Sequence, residues 1–229
     1  MKRWTWSEIK TKIHDDLDLK SEVFITASEL LGYANEAIDE AESLVHTLYQ
    51  DYYLTSTTLS LVNGTQDYDV QSDIYGDKIR RVLITVGSRN YEIKRIRDIG
   101  RISNIESSDD FRYILINDAA NSNVKIRIYP TPSGAHTATI WYIRNANELA
   151  TDTDTCDLPE IATQFVLQFI KQRCYEKEGH PNVVKSMQDT ERLRRKLEAT
   201  LAERVDDDNN TIKPNLDFYW DFDYDHYEY

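Results

Sequence analysis

Glycine and proline are scarce in this chain, 7 and 5 among 229 residues, which excludes an architecture dominated by loops. The glycines, at positions 32, 64, 76, 87, 100, 134 and 179, are too dispersed for a phosphate-cradling loop, and no serine occupies a Gly-x-Ser-x-Gly elbow. Cysteine is nearly absent. Cys156 and Cys174 have no metal-ligand spacing around them and read as reduced, unpaired, structural thiols of a cytosolic product. His14, His46, His136, His180 and His226 are scattered, no two of them spaced to share a metal, and read as surface or packing residues. No metal or cofactor is expected. Long apolar runs are also missing: nothing approaches the roughly 18 apolar residues of a membrane-spanning helix. Met1-Lys2-Arg3-Trp4-Thr5-Trp6 has basic residues without the apolar stretch of a signal peptide behind them. Bases are in short supply, 27 Lys and Arg against 40 Asp and Glu, for a net charge of −13. Gripping nucleic acid requires Lys and Arg to neutralise phosphates, and this balance argues against it. It suits a wall that DNA slides past, a protein that meets a basic partner surface, or plain solubility.

What is present is globular material, 40 % apolar and 29 % charged, enough for one sizeable core or a core with a subsidiary module. Three helix starts carry an oxygen-bearing N-cap with Glu three residues on: Thr5 with Glu8, Thr26 with Glu29, and Asp157 with Glu160. The first opens a short helix with Trp6, Ile9 and Ile13 on one face. The second opens a long one with Leu30, Leu31, Ala34, Ala37, Ile38, Ala41, Leu44, Val45 and Leu48 at helical spacing, and Glu36, Asp39, Glu40 and Glu42 opposite. From about Tyr52 to Ala150 the period changes to two. Val124, Ile126 and Ile128 alternate with Lys125, Arg127 and Tyr129, and similar runs lie at Thr58–Val62, Ile79–Val86, Tyr91–Ile96, Phe111–Ile116 and Thr137–Ile143. Gly87-Ser88-Arg89-Asn90 predicts a hairpin. Helical spacing returns after Asp157, with Ile161, Phe165 and Phe169 in one row and Ala162, Val166 and Ile170 beside it. Gly179 and Pro181 then break the chain, and a final helix ending near Arg204 is expected to turn Val184, Met187, Leu193, Leu197 and Leu201 inward.

The plan is therefore α+β. Helices in residues 1–50 and 151–204 form a four-helix bundle-like body, residues 51–150 an inserted antiparallel β-sandwich or small barrel, and residues 205–229 an extended C-terminal tail. Paired carboxylates can serve as catalytic or metal-binding groups. Asp152 and Asp154 lie in a loop lacking the Gly and distal Glu of a calcium site, Asp109-Asp110 reads as a turn, and Asp206-Asp207-Asp208 has no scaffold beneath it.

The tail is the informative segment. From Val205 onward eight acids face one base, Lys213, so that it contributes −7 of the −13. Aromatics crowd the same stretch, where an ordinary solvated tail would have few. At spacing two, Phe218, Trp220, Phe222 and Tyr224 share one face and Asp217, Asp221, Asp223 and Asp225 the other, whereas helical spacing would mix them. The pattern predicts a partner-docking segment bound in extended form, with these residues and Tyr219, Tyr227 and Tyr229 as its contacts. Adding a strand to a sheet edge is one such mode, and buried aromatic anchors are commonly worth roughly 2 kcal/mol or more each. Folding back onto its own domain is the competing outcome.

Three runs resemble the head-to-tail adaptor (connector or head completion) proteins of tailed bacteriophages. They are Tyr33-Ala34-Asn35-Glu36-Ala37; Gly64-Thr65-Gln66-Asp67-Tyr68 followed by Lys78-Ile79-Arg80-Arg81-Val82; and Asp157-Leu158-Pro159-Glu160 leading to Lys177-Glu178-Gly179. Where members carry Leu-Pro after the Asp-Tyr turn, this chain has Asp69-Val70-Gln71. The resemblance implies a non-catalytic virion protein of the neck, made in the host cytoplasm and assembled as a ring of about twelve copies. Such a ring binds the portal protein and extends the DNA channel toward tail or nozzle proteins, with DNA passing through unbound and no membrane involved. Two alternatives stand beside it: a tail-side gatekeeper or collar protein docking on a different ring, tail fibres or the capsid, and an acid-dependent hydrolase or nuclease.

Overall fold

A computed structural model describes residues 3–18, 24–97, 100, 102, 110–118 and 123–206. Two of the three capping signatures work as read. Thr5 Oγ1 accepts the Glu8 N–H at 3.2 Å while the Glu8 carboxylate accepts the Thr5 N–H at 3.0 Å, opening α1 (Trp6–Leu17). Thr26 and Glu29 repeat the exchange at the same distances to open α2 (Ala27–Leu48). The third does not cap. The next helix, α3 (Ala162–Glu178), starts after Ile161 without a side-chain cap, and Asp157 is occupied elsewhere. Gly179, at φ +63°, ends α3 in the left-handed conformation that glycine adopts without penalty. The Gly179 and His180 N–H groups reach back to the Glu176 and Tyr175 carbonyls in a Schellman arrangement. Then α4 (Val183–Asp206) carries the chain to the limit of the described residues, two residues past the expected end.

The helices share one core. Trp6, Ile9 and Ile13 of α1 meet Leu30, Ala34, Ala37, Ile38, Ala41 and Val45 of α2, Phe165, Val166, Ile170 and Cys174 of α3, and Leu197 and Leu201 of α4. Among the helices, α3 is central, with α2 and α4 as its main neighbours and α1 against it. Ile161 and Phe169 are only half-buried while Phe165 is buried, so the inward face of α3 comprises the second sequence row together with Phe165 of the first. The first turns of α4 also depart from expectation, since Val184 and Met187 are 65 % and 48 % exposed. Their inward places belong to Ser186 and Thr190: Gln168 Nε2 donates to Ser186 Oγ at 3.0 Å, and Thr190 Oγ1 donates to the Ser186 carbonyl at 2.9 Å. A polar contact between α3 and α4 thus outranks apolar spacing there.

Between α2 and α3, after a 3-10 turn at Gln50–Tyr53, seven strands form one sheet. They are β1 (Leu54–Leu61), β2 (Asp67–Asp69), β3 (Ile74–Val86), β4 (Arg89–Arg95), β5 (Arg112–Asp118), β6 (Asn123–Tyr129) and β7 (His136–Arg144), in the order β1-β7-β3-β4-β5-β6-β2. The sheet curls into a nearly closed barrel around Leu61, Tyr68, Val82, Ile84, Ile93, Tyr113, Ile126, Ile128, Ala138, Ile140 and Tyr142. That decides between sandwich and barrel. It also corrects the expectation of a purely antiparallel module, because β4 and β5 pair in parallel at Lys94–Arg112 and Arg95–Tyr113. The β3–β4 hairpin is tighter than read: Gly87 (φ +61°) and Ser88 alone turn the chain, with Val86 opposite Arg89. Strand β3 starts earlier than the alternation suggested, because Gly76 and Asp77, both at positive φ, bulge it and shift its register against β7. Strand β2 is too short to leave a periodic signal in the sequence.

Strand β7 belongs to both cores. Ala138, Ile140 and Tyr142 point into the barrel, and the next residue, Ile143, is buried among the helices. Phe165 lies inside the core and Phe169 at its flank. Phe165→Ala should cost about 4 kcal/mol in denaturant unfolding, and Phe169→Ala less than half of that; equal losses would place both in the core.

Candidate functional site

Among the described residues no group of His, Cys, Asp and Glu is gathered to hold a metal ion. The acids that invited a catalytic reading are engaged in structure. Asp154 accepts the N–H groups of Ala150 and Thr151 at 2.8 and 2.6 Å and the Thr151 hydroxyl at 2.8 Å, and these bonds lower its pKa. Asp152 pairs with Lys10 at 2.7 Å. Asp110 is exposed just ahead of β5, whereas Asp109, Asp207 and Asp208 lie outside the described residues. Cys156 and Cys174 are buried and free, and burial pushes their thiols up to about 11 and about 12, which keeps them protonated and unreactive.

The polar residues that do converge sit where the helices meet the barrel. Asn35 of α2 clamps the backbone of Leu149: its Nδ2 donates to the Leu149 carbonyl and its Oδ1 accepts the Leu149 N–H, both at 3.0 Å. Ala34 and Ala37 beside it are fully buried, so the helix backbone can lie close to what it packs against. Asp157, 1 % exposed, accepts the Asn147 N–H at 3.1 Å through Oδ1, and its Oδ2 lies 2.6 Å from Arg144 Nη2 at the end of β7. Arg144 also covers the ring of the buried Tyr53, with its guanidinium carbon 5.0 Å from the centroid. His46, in the last turn of α2, is buried with Nε2 3.0 Å from Glu42 Oε1, which itself accepts the Ala146 N–H at 2.6 Å. The imidazole stacks on Tyr75 of β3 at 3.7 Å, and Lys78 lies over the other aromatic at 4.9 Å.

The runs that carried the family resemblance therefore have structural work. Asn35 and Asp157 are the junction. In the second run, Tyr68 Oη donates to the Thr65 carbonyl at 2.8 Å and accepts the Val62 N–H at 3.0 Å, and Asp67 holds Arg127 of β6. The third ends at Lys177, which grips both oxygens of Glu29 at 2.6 and 2.7 Å and helps to hold that carboxyl down at about 2.

The outer surface is organised by charge. Glu29, Glu36 and Glu40 of α2 are paired with Lys177 and Arg173 of α3 and Arg194 of α4. Asp39 between them has a raised pKa, from desolvation first and then from Glu42, Glu148 and Glu36. Exposed large apolar side chains gather around β1: Leu54 at its start, Val62 just past its end, and Trp141 opposite Ser56 on β7. Nothing in the sequence singled these out; only the register makes them neighbours.

Two predictions test the junction. Asn35→Ala strands a buried N–H and carbonyl at Leu149, 2 % exposed, and should cost about 2 kcal/mol in urea unfolding. Burial lowers the His46 pKa below 6.5 and Lys78 adds repulsion, while the Glu42 contact opposes both. The unfolded chain therefore takes up this proton first, so that the contribution is complete above 6.5 and is lost as pH falls through the folded value. Unfolding followed between about pH 7.5 and pH 5.5 should show falling stability, with a flatter profile in His46→Gln.

The expected docking residues, Asp217, Phe218, Tyr219, Trp220, Asp221, Phe222, Asp223, Tyr224, Asp225, Tyr227 and Tyr229, all lie outside the described residues. No helix of the described residues is long and apolar enough to cross a membrane. No curated protein matches the chain. A family model, the SU10 adaptor protein, matches residues 4–215, which takes in all four helices, the barrel and the first residues beyond α4. The chain is a member of the SU10 adaptor protein family, a phage head–tail adaptor family, and thus a structural component of the virion.

Proposed function

We propose that the protein is a non-catalytic, ring-forming adaptor of the virion neck, which binds the portal and extends the DNA channel toward the tail. Its helices serve as a bundle-like body, and its C-terminal segment docks in extended form on a neighbouring virion protein. The observation that supports this most is the match of the adaptor family along residues 4–215, joined to a terminus of unusual composition that follows directly on α4.

Charge supports the channel reading. Residues 51–150 hold twelve basic and twelve acidic residues, so the excess of acid resides in the helical parts and the terminus. A wall lined by such parts would not retain DNA, since retention needs clustered cations. Glu29, Glu36 and Glu40 of the helical body are paired with bases on adjacent helices, whereas the terminal segment has a single Lys213 among its eight acids. An acidic, aromatic segment of this kind gains most by meeting an apolar sheet edge or a basic groove.

Deletion of residues 207–229 tests the docking role. Removing the aromatic anchors should weaken co-sedimentation with assembled portal rings by about tenfold or more, while the circular dichroism of the body stays unchanged. A deleted chain that assembles like the full one would show that the segment does not dock. Raising the salt concentration should weaken assembly of the full chain if carboxylates contribute, because screening lengths shrink to a few ångströms near 1 M, about 3 Å.

A further inference from the structure

The barrel has an open seam. Strands β1 and β2 are the two ends of the sheet, and no ladder joins them. The ends curve toward each other: Tyr68 of β2 bonds the backbone of Val62, just past β1, and Gln71 Nε2 donates to Thr57 Oγ1 at 3.2 Å. Along β1 itself, one edge is paired with β7 over all eight residues, and apart from the turn bond from the Leu54 N–H to the Asp51 carbonyl no other backbone hydrogen bond of the strand is made among the described residues. On the face turned to the barrel, Thr55, Thr57 and Leu59 are half-buried, whereas their partners Tyr142, Ile140 and Ala138 on β7 are buried. The inward row of β1 is thus missing cover on one side only.

Proteins ordinarily guard such an edge with charge, proline, a bulge or brevity. Strand β1, Leu54-Thr55-Ser56-Thr57-Thr58-Leu59-Ser60-Leu61, has no charged residue, no proline and no register shift, and runs for eight residues. The opposite end is guarded: β2 has three residues, two of them aspartates. Exposed apolar side chains bracket the unguarded edge, with Leu54 41 % and Val62 56 % exposed.

We infer that the β1 edge receives the segment Phe218–Asp225 of an adjacent copy of this chain as an added strand that fills the seam. The inference rests on the docking role proposed above and names the neighbour that receives the segment. The segment matches the edge in length, eight residues to eight, and in period. Phe218, Trp220, Phe222 and Tyr224 would face the half-buried Leu59 and close the barrel, a role that needs apolar groups at every second position. In the antiparallel register that sets Phe218 opposite Leu61, Asp221 and Asp223 then lie over Thr58 and Ser56, whose hydroxyls can donate to them and carry no opposing charge. Eleven residues, 207–217, separate the described end of α4 from Phe218. Extended, they reach about 36 Å, more than twice the radius of gyration of about 17 Å expected for a compact chain of this size. The segment can therefore clear its own body and meet the next copy.

Cross-linking in the full-length chain tests this. One preparation carries Thr58→Cys, on the exposed row of β1, and a second carries Asp221→Cys or Asp223→Cys, which spares every aromatic anchor. The native thiols at 156 and 174 are buried and do not compete. After the two are mixed, assembled into rings and treated with a short bismaleimide, a covalent dimer is expected in about tenfold excess over a control with Val184→Cys in place of Thr58→Cys, because only strand pairing brings the Cβ atoms within about 5.5 Å. If the terminal cysteine instead couples to the portal protein, or to the Val184→Cys control as readily as to Thr58→Cys, the β1 site is wrong while a docking segment stands. If it couples to nothing in the assembled ring, both are wrong.

Discussion

The helices and the barrel are held in one arrangement because they share a strand. Tyr142 and Ile143 are adjacent on β7 and both are buried, one in each core. Alternation of side chains makes this possible only where a sheet has packed neighbours on both faces, and the end of β7 is such a place. Arg144 follows at once and ties the strand to Asp157, while Asn35 fixes Leu149 a few residues on. A pair of this kind is weak evidence of net stability, but losing Arg144 would leave the buried Asp157 charge without compensation. The Arg144–Asp157 approach runs between charges rather than along a well-aligned hydrogen bond, while Asp157 Oδ1 supplies the directed contact to Asn147.

Much of this could be read from the sequence where the cause is local. Thr5 with Glu8 and Thr26 with Glu29 cap their helices because every atom involved lies within one turn. The same pattern at Asp157 and Glu160 misleads because Arg144 and Asn147, brought in by the fold, take the aspartate away. The buried face of α4 departs from its apolar spacing for a similar reason: Ser186 and Thr190 are satisfied by Gln168 and by the helix itself, so they can be buried at low cost, and Val184 and Met187 are left outside. The parallel β4–β5 contact leaves no trace in hydrophobic period, which is the same for either strand direction. Of the two elements joined in the proposed docking, the terminal segment was visible in the sequence by its composition and spacing. The β1 edge was not, because an edge is defined by which strand is absent from its side.

Electrostatics divides the molecule differently from its cores. The acidic ridge of α2 is held by bases from α3 and α4, which converts surfaces that would each look solvated into a clasp between helices. Pairs of this sort are individually weak at an exposed surface. Their value is in register, since Glu29, Glu36 and Glu40 lie along one side of α2 and each meets a different base. Strand β1, lined by hydroxyls and flanked by exposed Leu54 and Val62, takes no part in these pairs.

Strand β7 also has a mechanical consequence. It lies between β1 and β3 and is antiparallel to both. A load that draws the barrel away from the helices along this strand is borne by both ladders in shear, so that many hydrogen bonds must fail together instead of opening in turn. Resistance to forced unfolding is governed by the barrier to that collective step rather than by equilibrium stability. Under such a load, the strand that joins the two cores is therefore also the member that carries tension between them.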